Sequence, residues 1–213
     1  TFNMGCGDVT ACNFTGACDL SVACEYPDAD GDGVLDCNEV VGCQDDAADN
    51  YNASATDAGY CAYNGCTDSA ALNFDEGANV NDGSCSYLVA FRVNMSQETV
   101  SADGVHIAGS FQGWDPSNLP LSPIGFGIYE VQVQLQEGTY EYKYVNGNAW
   151  GFDESVSPCG NGGNRVISVP GVLTTVGPCF GSCDACVGCS DPMYLEYNPF
   201  FGGDDSSCLT PLV

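Results

Sequence analysis

The chain has almost no positive charge. Of its 213 residues only three are lysine or arginine, whereas 29 are aspartate or glutamate, and the formal net charge is −26. This balance excludes a nucleic-acid-binding protein, because contact with phosphates requires clustered basic side chains. The chain also lacks an apolar run of the ~20 residues that a membrane-spanning helix needs. We therefore expect no membrane insertion.

Histidine is equally scarce. The single histidine, His106, falls in an alternating segment that predicts a strand, so we expect no catalytic centre that depends on histidine. No phosphate-binding loop is present, and no pair of carboxylates is marked out as catalytic. The sequence therefore favours a protein that is not an enzyme.

Cysteine is abundant instead, with fifteen copies. This density indicates an oxidising compartment, and we expect a secreted protein that lies outside the cell or on its surface. Four segments share one pattern, in which Gly-Cys-x-Asp is followed by an aromatic residue and by a second cysteine 18 or 19 positions after the first. These cysteine-framed segments are residues 5–24, 42–61, 65–85 and 188–208. Units of this size need disulfides, metals or neighbours to fold.

The spacing predicts one disulfide across each cysteine-framed segment and further bridges among the other cysteines. An inner bridge in the first segment leaves Cys37 unpaired, or paired between chains. A zinc or iron–sulfur site is the rival interpretation of Cys183, Cys186 and Cys189, disfavoured because Cys189 already belongs to its segment. The predicted pairs are Cys6–Cys24, Cys12–Cys18, Cys43–Cys61, Cys66–Cys85, Cys159–Cys179, Cys183–Cys186 and Cys189–Cys208.

Residues 28–39 fit a twelve-position calcium loop, with Gly33 at position 6, where the chain must turn sharply. The predicted cofactor is therefore Ca²⁺. The expected ligands are the side chains of Asp28, Asp30, Asp32, Asp36 and Glu39 and the main-chain carbonyl of Val34. Weaker candidates lie in the cysteine-framed segments, where aspartate also suits turns. They are Asp45, Asp57, Asp68, Asp82, Asp191 and Asp205.

From Tyr87 to about Phe180 the cysteine-rich pattern gives way to one that predicts a series of short strands. Polar and apolar residues alternate at 129–135 and 140–144, and further strands are expected at 89–95, 105–108, 166–169 and 172–176. The predicted fold is mainly β, an antiparallel immunoglobulin-like β-sandwich flanked by small disulfide- and calcium-stabilised repeats. The expected domains are residues 1–87, 88–181 and 182–213.

Two of these features resemble known repeats. The pattern Gly-Cys-Thr-Asp-x-x-Ala-x-Asn-Phe at 65–74, with Asp-Gly-Ser-Cys-x-Tyr at 82–87, resembles a repeat of large secreted surface proteins of Bacteroidetes-type bacteria. The loop at 28–39 is similar to those of thrombospondin type 3 and dockerin modules, which implies a structural calcium ion.

The middle segment resembles the early-set β-sandwiches of starch- and glycogen-binding modules. The resemblance is carried by Val-His-Ile-Ala-Gly-Ser-Phe-Gln-Gly-Trp-Asp at 105–115, by Gly-Thr-Tyr-Glu-Tyr-Lys-Tyr at 138–144 and by Trp150. It implies that glucan is contacted by Trp114, Lys143, Trp150 and Asn164. Residues 159–163 depart from the family pattern next to Asn164.

Four side chains are candidates for glycosylation. Asn13, Asn52 and Asn94 lie in Asn-x-Ser/Thr sequons. Ser69 lies in an Asp-Ser-Ala stretch that resembles the O-glycosylation motif of the same bacteria. The type of modification stays open.

Rigid repeats at both ends of a sandwich, together with the odd cysteine, favour a structural role. The leading hypothesis is a secreted, calcium-stabilised protein that self-assembles head to tail into an extracellular filament or surface layer. The alternative is a glucan-type carbohydrate-binding module of a secreted adhesin or polysaccharide-processing protein.

Overall fold

The computed structural model describes residues 6, 8–14, 23–157, 160–171, 173 and 177–212. Within these ranges every regular element is a β-strand, so the prediction of a mainly β fold is confirmed. The chain divides into two compact units. The first comprises Thr1–Thr67 and Glu76–Asn81, and the second comprises Asp68–Asp75 and Asp82–Val213.

The first unit is held together by very short parallel strands and by disulfides. Strand β1 (Val41–Gly42) pairs with β2 (Asp57–Ala58), and β3 (Asn64–Gly65) pairs with β4 (Val80–Asn81). The buried apolar residues described in this unit are Cys6, Ala11, Cys43, Ala48 and Cys66. Because these side chains are small, cross-links take the place of an extended apolar core.

An asparagine bridges the closing cysteine of each of the first three segments. Asn50 Nδ2 donates to the carbonyl of Tyr60 at 2.8 Å, and its Oδ1 accepts from the N–H of Ala62 at 2.7 Å. The amide thus satisfies the peptide groups on both sides of Cys61. The same bridge is made by Asn13 and Asn73.

Glu196 takes the place of this asparagine in the fourth segment. Its Oε2 accepts the backbone N–H groups of Leu209 and Thr210 at 3.3 and 3.0 Å. The hydroxyl and the backbone N–H of Thr210 together lower the pKa of Glu196 to about 2. A carboxylate only accepts hydrogen bonds, so the chain after Cys208 offers it two donors instead of one donor and one acceptor.

The disulfides across the cysteine-framed segments agree with the spacing. Three of the expected bridges are formed, and Cys66 and Cys85 are both disulfide-bonded. The three bridges are Cys6–Cys24, Cys43–Cys61 and Cys189–Cys208.

The predicted Cys12–Cys18 bridge is wrong, and so is the prediction that Cys37 is left without a partner in the chain. Cys12 pairs with Cys37, 25 positions away. Residues 28–39 form an acidic loop that closes on itself, because the N–H of Asp36 donates to the carbonyl of Pro27 at 2.9 Å. The N–H of Cys12 donates to the carbonyl of Glu25 at 3.0 Å, so the chain just before this loop lies next to Cys12. Cys18 lies outside the described residues.

The predicted pairing at the end of the sandwich is also wrong. Cys179 pairs with Cys186, so neither Cys159–Cys179 nor Cys183–Cys186 forms, and Cys183 has a disulfide of its own. A tight turn explains the change, since the N–H of Cys179 donates to the carbonyl of Asp184 and brings the Cα atoms of Cys179 and Cys186 within 4.8 Å. Cys159 lies outside the described residues.

The second unit is built on six antiparallel strands in the order β10-β9-β6-β7-β8-β5. Their bounds are β5 Ser86–Asn94, β6 Val105–Gly109, β7 Pro120–Gly125, β8 Ile128–Gln136, β9 Gly138–Val145 and β10 Arg165–Val169. Strand β7 pairs with β6 through its first two residues and with β8 from Ser122 onward. The chain therefore crosses between the two layers of the sandwich along β7.

Strand β7 was not predicted, whereas β5, β6, β8, β9 and β10 were. Pro120 and Pro123 argue against a strand, because proline cannot donate to the ladder. They are tolerated because β7 changes partners and its register with β8 shifts after Pro123. The expected strand at 172–176 lies outside the described residues except for Leu173, whose carbonyl accepts from the N–H of Ala90 at 2.8 Å.

The core lies between the two layers. Phe91 of β5 and Tyr142 of β9 meet edge to face with ring centroids 4.9 Å apart, and the hydroxyl of Tyr144 donates to a carbonyl of β5 at 2.6 Å. Because Tyr142 and Tyr144 point inward, the alternate residues Glu141 and Lys143 of β9 lie on the outer face of the sheet.

Candidate functional site

Two tryptophans, one from the turn after β6 and one from the loop after β9, lie against each other. Trp114 lies in the turn after β6, where its backbone N–H donates to the carbonyl of Gly109 at 3.0 Å. Trp150 lies in the loop after β9. The ring centroids are 6.5 Å apart and the ring planes are inclined by 38°. Trp150 is 48% exposed, so the pair offers aromatic surface to solvent.

Lys143 is joined to the loop that carries Trp150. Its Nζ lies 2.9 Å from Oδ2 of Asp153, and both side chains are largely shielded from solvent. The hydrogen bond from Lys143 holds the pKa of Asp153 below its usual value. This ion pair fixes the base of the Trp150 loop against the outer face of β9.

Glu141 lies two residues before Lys143 on the same outer face and holds two asparagines. Asn164 Nδ2 donates to Oε2 of Glu141 at 2.8 Å, and Asn161 Nδ2 donates to Oε1 at 2.5 Å. These bonds, from Asn164 first and then from Asn161, lower the pKa of Glu141. Because a carboxylate only accepts, each amide turns its nitrogen to Glu141 and leaves its oxygen for other donors.

The residues that the glucan-module resemblance singles out are thus connected. Trp114 contacts Trp150, Lys143 anchors the Trp150 loop, and Asn164 is tied to the strand of Lys143. A tight turn between Asn161 and Asn164, with backbone bonds of 2.9 and 3.0 Å, returns Asn164 to the sheet after the departure from the family pattern. We name this surface the polar–aromatic face, and define it as Trp114, Glu141, Lys143, Trp150, Asn161 and Asn164.

Sequence reasoning missed Glu141 and Asn161. The period-two alternation of β9 was a usable signal for Glu141, since it places residues 141 and 143 on one face. Asn161 carried no comparable signal, because its position depends on how the turn after it closes.

The first unit carries the acidic loop. Carboxylate oxygens of Asp28, Asp30 and Asp32 lie within 4.8 Å of one another. Gly31 and Gly33 have φ values of 79° and 93°, in the left-handed region that glycine adopts most readily, so the chain turns where a calcium loop requires it. Asp36 belongs to neither acidic group found among the described residues, and its Oδ1 accepts the N–H of Ala29 at 2.8 Å.

A second acidic group reaches beyond the loop. Carboxylate oxygens of Asp30, Glu39 and Asp57 also lie within 4.8 Å of one another. Asp57 begins β2, and its Oδ1 is buried without a hydrogen-bond partner in the described part of the chain. Burial, followed by the hydrogen bond and the charge of Asp57, raises the pKa of Glu39 to about 7. Ca²⁺ prefers hard oxygen ligands, and the carboxylates of both acidic groups are ligands of this kind.

Asp45, one of the weaker candidates, accepts hydrogen bonds from protein donors at both carboxylate oxygens. Asp45 Oδ1 accepts the N–H of Ala47 at 2.9 Å, and its Oδ2 accepts the hydroxyl of Tyr63 at 2.5 Å. The tyrosine hydroxyl, followed by the N–H of Ala47, lowers the pKa of Asp45. Sequence reasoning missed this tyrosine–aspartate hydrogen bond, although a tyrosine follows the closing cysteine by two residues in each of the first three segments. Its other copies are Asp8–Tyr26 and Asp68–Tyr87.

Three further candidates make local turns. Asp82, Asp191 and Asp205 each accept the N–H of the residue two positions on, at 2.9 to 3.0 Å. Such bonds are typical of turn-forming aspartate. Of the weaker candidates, Asp57 alone joins an acidic group within the described ranges.

The structure also bears on the rival metal site and on one of the predicted glycosylation sites. Cys183, Cys186 and Cys189 are all disulfide-bonded, which removes the thiolates that the rival zinc or iron–sulfur site needs. Asn94 is fully buried, so a glycan at this sequon is incompatible with the fold. Asn13, Asn52 and Ser69 stay predicted glycosylation sites.

Residues 96–173 match the family model described as the glycogen recognition site of AMP-activated protein kinase. The match covers less than half of the chain and includes the whole polar–aromatic face. It confirms the resemblance of the middle segment to glycogen- and starch-binding modules. No curated protein matches the chain. Across the residues that the structure describes, no helix has the length and apolar character to cross a membrane.

Proposed function

We propose that the sandwich is a non-catalytic carbohydrate-binding module that recognises a glucan through the polar–aromatic face. The observation that carries the proposal is the contact between Trp114 and Trp150 beside a set of fixed polar groups. Aromatic surface with a few oriented polar groups is the usual composition of a small-ligand site. The family match over residues 96–173 supports the same class of ligand.

Each part of the face has a role in sugar binding. An indole ring packs against the apolar C–H face of a pyranose, while the hydroxyls at its edge need hydrogen-bond partners. Lys143 supplies donors, and the amide oxygens of Asn161 and Asn164 supply acceptors. Because Glu141 already holds both amides, they meet the sugar in a fixed orientation, which reduces the entropy lost on binding.

Affinity electrophoresis in a gel that contains glycogen tests the proposal. Retardation of the wild-type chain is expected, and the double variant Trp114→Ala/Trp150→Ala should migrate as it does in a glycogen-free gel. Tyr60→Ala is the control, because Tyr60 is 65% exposed and lies in the first unit. Equal retardation of the wild type and the double variant would contradict the proposal.

A second proposal concerns the first unit, in which residues 28–39 bind a structural Ca²⁺ ion. The buried, unpartnered Oδ1 of Asp57 favours it, because a cation would satisfy an oxygen that no described protein donor reaches. Asp30 belongs to both acidic groups, and the candidate ligands are the members of these groups, Asp28, Asp30, Asp32, Glu39 and Asp57. Thermal unfolding in calcium and in chelator tests this, and identical melting temperatures would contradict it.

The place of action and the assembly are also proposals. The disulfides are typical of an extracellular protein, and we infer that the chain is secreted. The hypothesis of self-assembly into a filament loses one of its arguments, the odd cysteine, because Cys37 is paired with Cys12. The carbohydrate-binding alternative has the support of the family match. Filament formation stays a prediction for electron microscopy with and without chelator.

A further inference from the structure

A buried ion pair lies at the bases of two loops that contribute Trp150, Asn161 and Asn164 to the polar–aromatic face. Arg165 Nε donates to Oε1 of Glu154 at 2.7 Å, and Arg165 Nη2 donates to Oε2 at 2.8 Å. The side chain of Glu154 is 0% exposed and that of Arg165 is 9% exposed. A two-pronged contact of this kind fixes both the separation and the orientation of its partners.

Each member of the pair is the chain neighbour of a residue on the outer surface. Glu154 follows Asp153, which binds Lys143, and its own N–H and Oε1 are bonded to the backbone of Tyr144 at 3.0 Å each. Arg165 follows Asn164, which binds Glu141. Inward and outward side chains alternate at both places, so the buried pair fixes the backbone beneath the outer residues.

The pair is supported by the turn between Cys179 and Cys186, which a disulfide closes. Arg165 Nη2 also donates to the carbonyls of Cys179 and Ser182 at 3.1 and 2.9 Å. The N–H of Gly181 donates to Oε2 of Glu154 at 2.9 Å. Backbone groups of one turn thus satisfy both buried charges, as a stable buried pair requires.

We propose that Glu154 and Arg165 are positioning residues for the glycan site, and that the disulfide-closed turn at 179–186 holds them in place. The inference rests on the proposed glucan binding. None of these groups lies on the polar–aromatic face. Their effect is to keep the Trp150 loop and the Asn161–Asn164 turn at one separation before the sugar arrives. Binding then avoids the cost of ordering the two loops.

The test is the double variant Glu154→Gln/Arg165→Met, which removes both charges and so leaves no lone buried ion. The dissociation constant for a linear α-glucan heptasaccharide is measured by calorimetry at 25 °C, together with the melting temperature. We expect binding to weaken on the order of tenfold in chain that is still folded. The matched control is Glu130→Gln/Arg92→Met, which removes the ion pair between β5 and β8 and should leave the dissociation constant unchanged.

A purely structural role predicts something different. In that case the melting temperature falls while the dissociation constant stays at the wild-type value, and the inference is overturned. If the double variant does not fold, Cys179→Ser/Cys186→Ser decides, because it keeps the ion pair and loosens only the turn. A several-fold weaker dissociation constant supports the inference, and an unchanged one rejects it. A wild-type chain that binds no glucan instead overturns the proposed function itself.

Discussion

Replacing Trp150 with alanine should weaken glucan binding by one to two orders of magnitude. A tryptophan side chain can bury about 250 Å², and Trp150 is 48% exposed, so roughly 120 Å² is open to a ligand. At about 25 cal/mol per Å², complete coverage contributes about 3 kcal/mol. A sugar ring covers one face of the indole, so about half of this, ~1.5 kcal/mol, is the lower estimate, equivalent to about tenfold in the dissociation constant.

The measurement is calorimetric titration of wild type and Trp150→Ala with a linear α-glucan heptasaccharide. Trp150 is largely outside the core, so the melting temperature should change little, and lost affinity can be assigned to the lost platform. Tyr60→Ala controls for the removal of an exposed aromatic side chain elsewhere. A dissociation constant within twofold of wild type in folded Trp150→Ala would refute the stacking role.

Three other outcomes are expected. Asp57→Ala should weaken calcium binding about tenfold or more in a calcium titration, because one charged ligand is lost, whereas Asp46→Ala should not. Tyr63→Phe should lower the melting temperature between about pH 4 and pH 10 and have little effect in strong acid, because the stability from the lowered pKa of Asp45 is complete above its usual value of 3.8 and is lost as the pH falls through the lowered pKa. Peptide mapping without reduction should recover Cys12 linked to Cys37, and a Cys12–Cys18 peptide would contradict the fold.

The sequence was most informative where a pattern repeats within a few residues. Alternation predicted β8 and β9, and the constant spacing of 18 or 19 residues predicted the bridges that close the cysteine-framed segments. Such features depend on local geometry alone. The link from Cys12 to Cys37 depends instead on how an entire acidic loop folds back, which spacing does not encode.

The candidate sites divide in the same way. The tryptophans and Lys143 were predicted from short motifs, whereas Asn161 and the Glu154–Arg165 pair depend on long-range contacts. Asp57 was predicted as a weaker ligand candidate, but its position beside Asp30 and Glu39 also depends on such contacts. Strand β7 was missed for a related reason, since Pro120 and Pro123 are acceptable only where a strand changes partners. Local propensity misleads at such a position because tertiary context overrides it.

The uneven distribution of positive charge between the two units bears on the calcium proposal. Arg92, Lys143 and Arg165 are the only lysines and arginines, all three lie in the second unit, and each forms an ion pair with a carboxylate. The first unit therefore contains no lysine or arginine, so under the calcium proposal the counter-charge for its carboxylates comes from cations in solution. Monovalent salt screens exposed charges over a Debye length of ~8 Å at 0.15 M, but it does not occupy the buried oxygen of Asp57. Sodium chloride without calcium should therefore raise the melting temperature of this unit less than calcium does at far lower concentration. Equal stabilisation by both salts at the same ionic strength would mean that screening, and not a bound ion, stabilises the acidic loop.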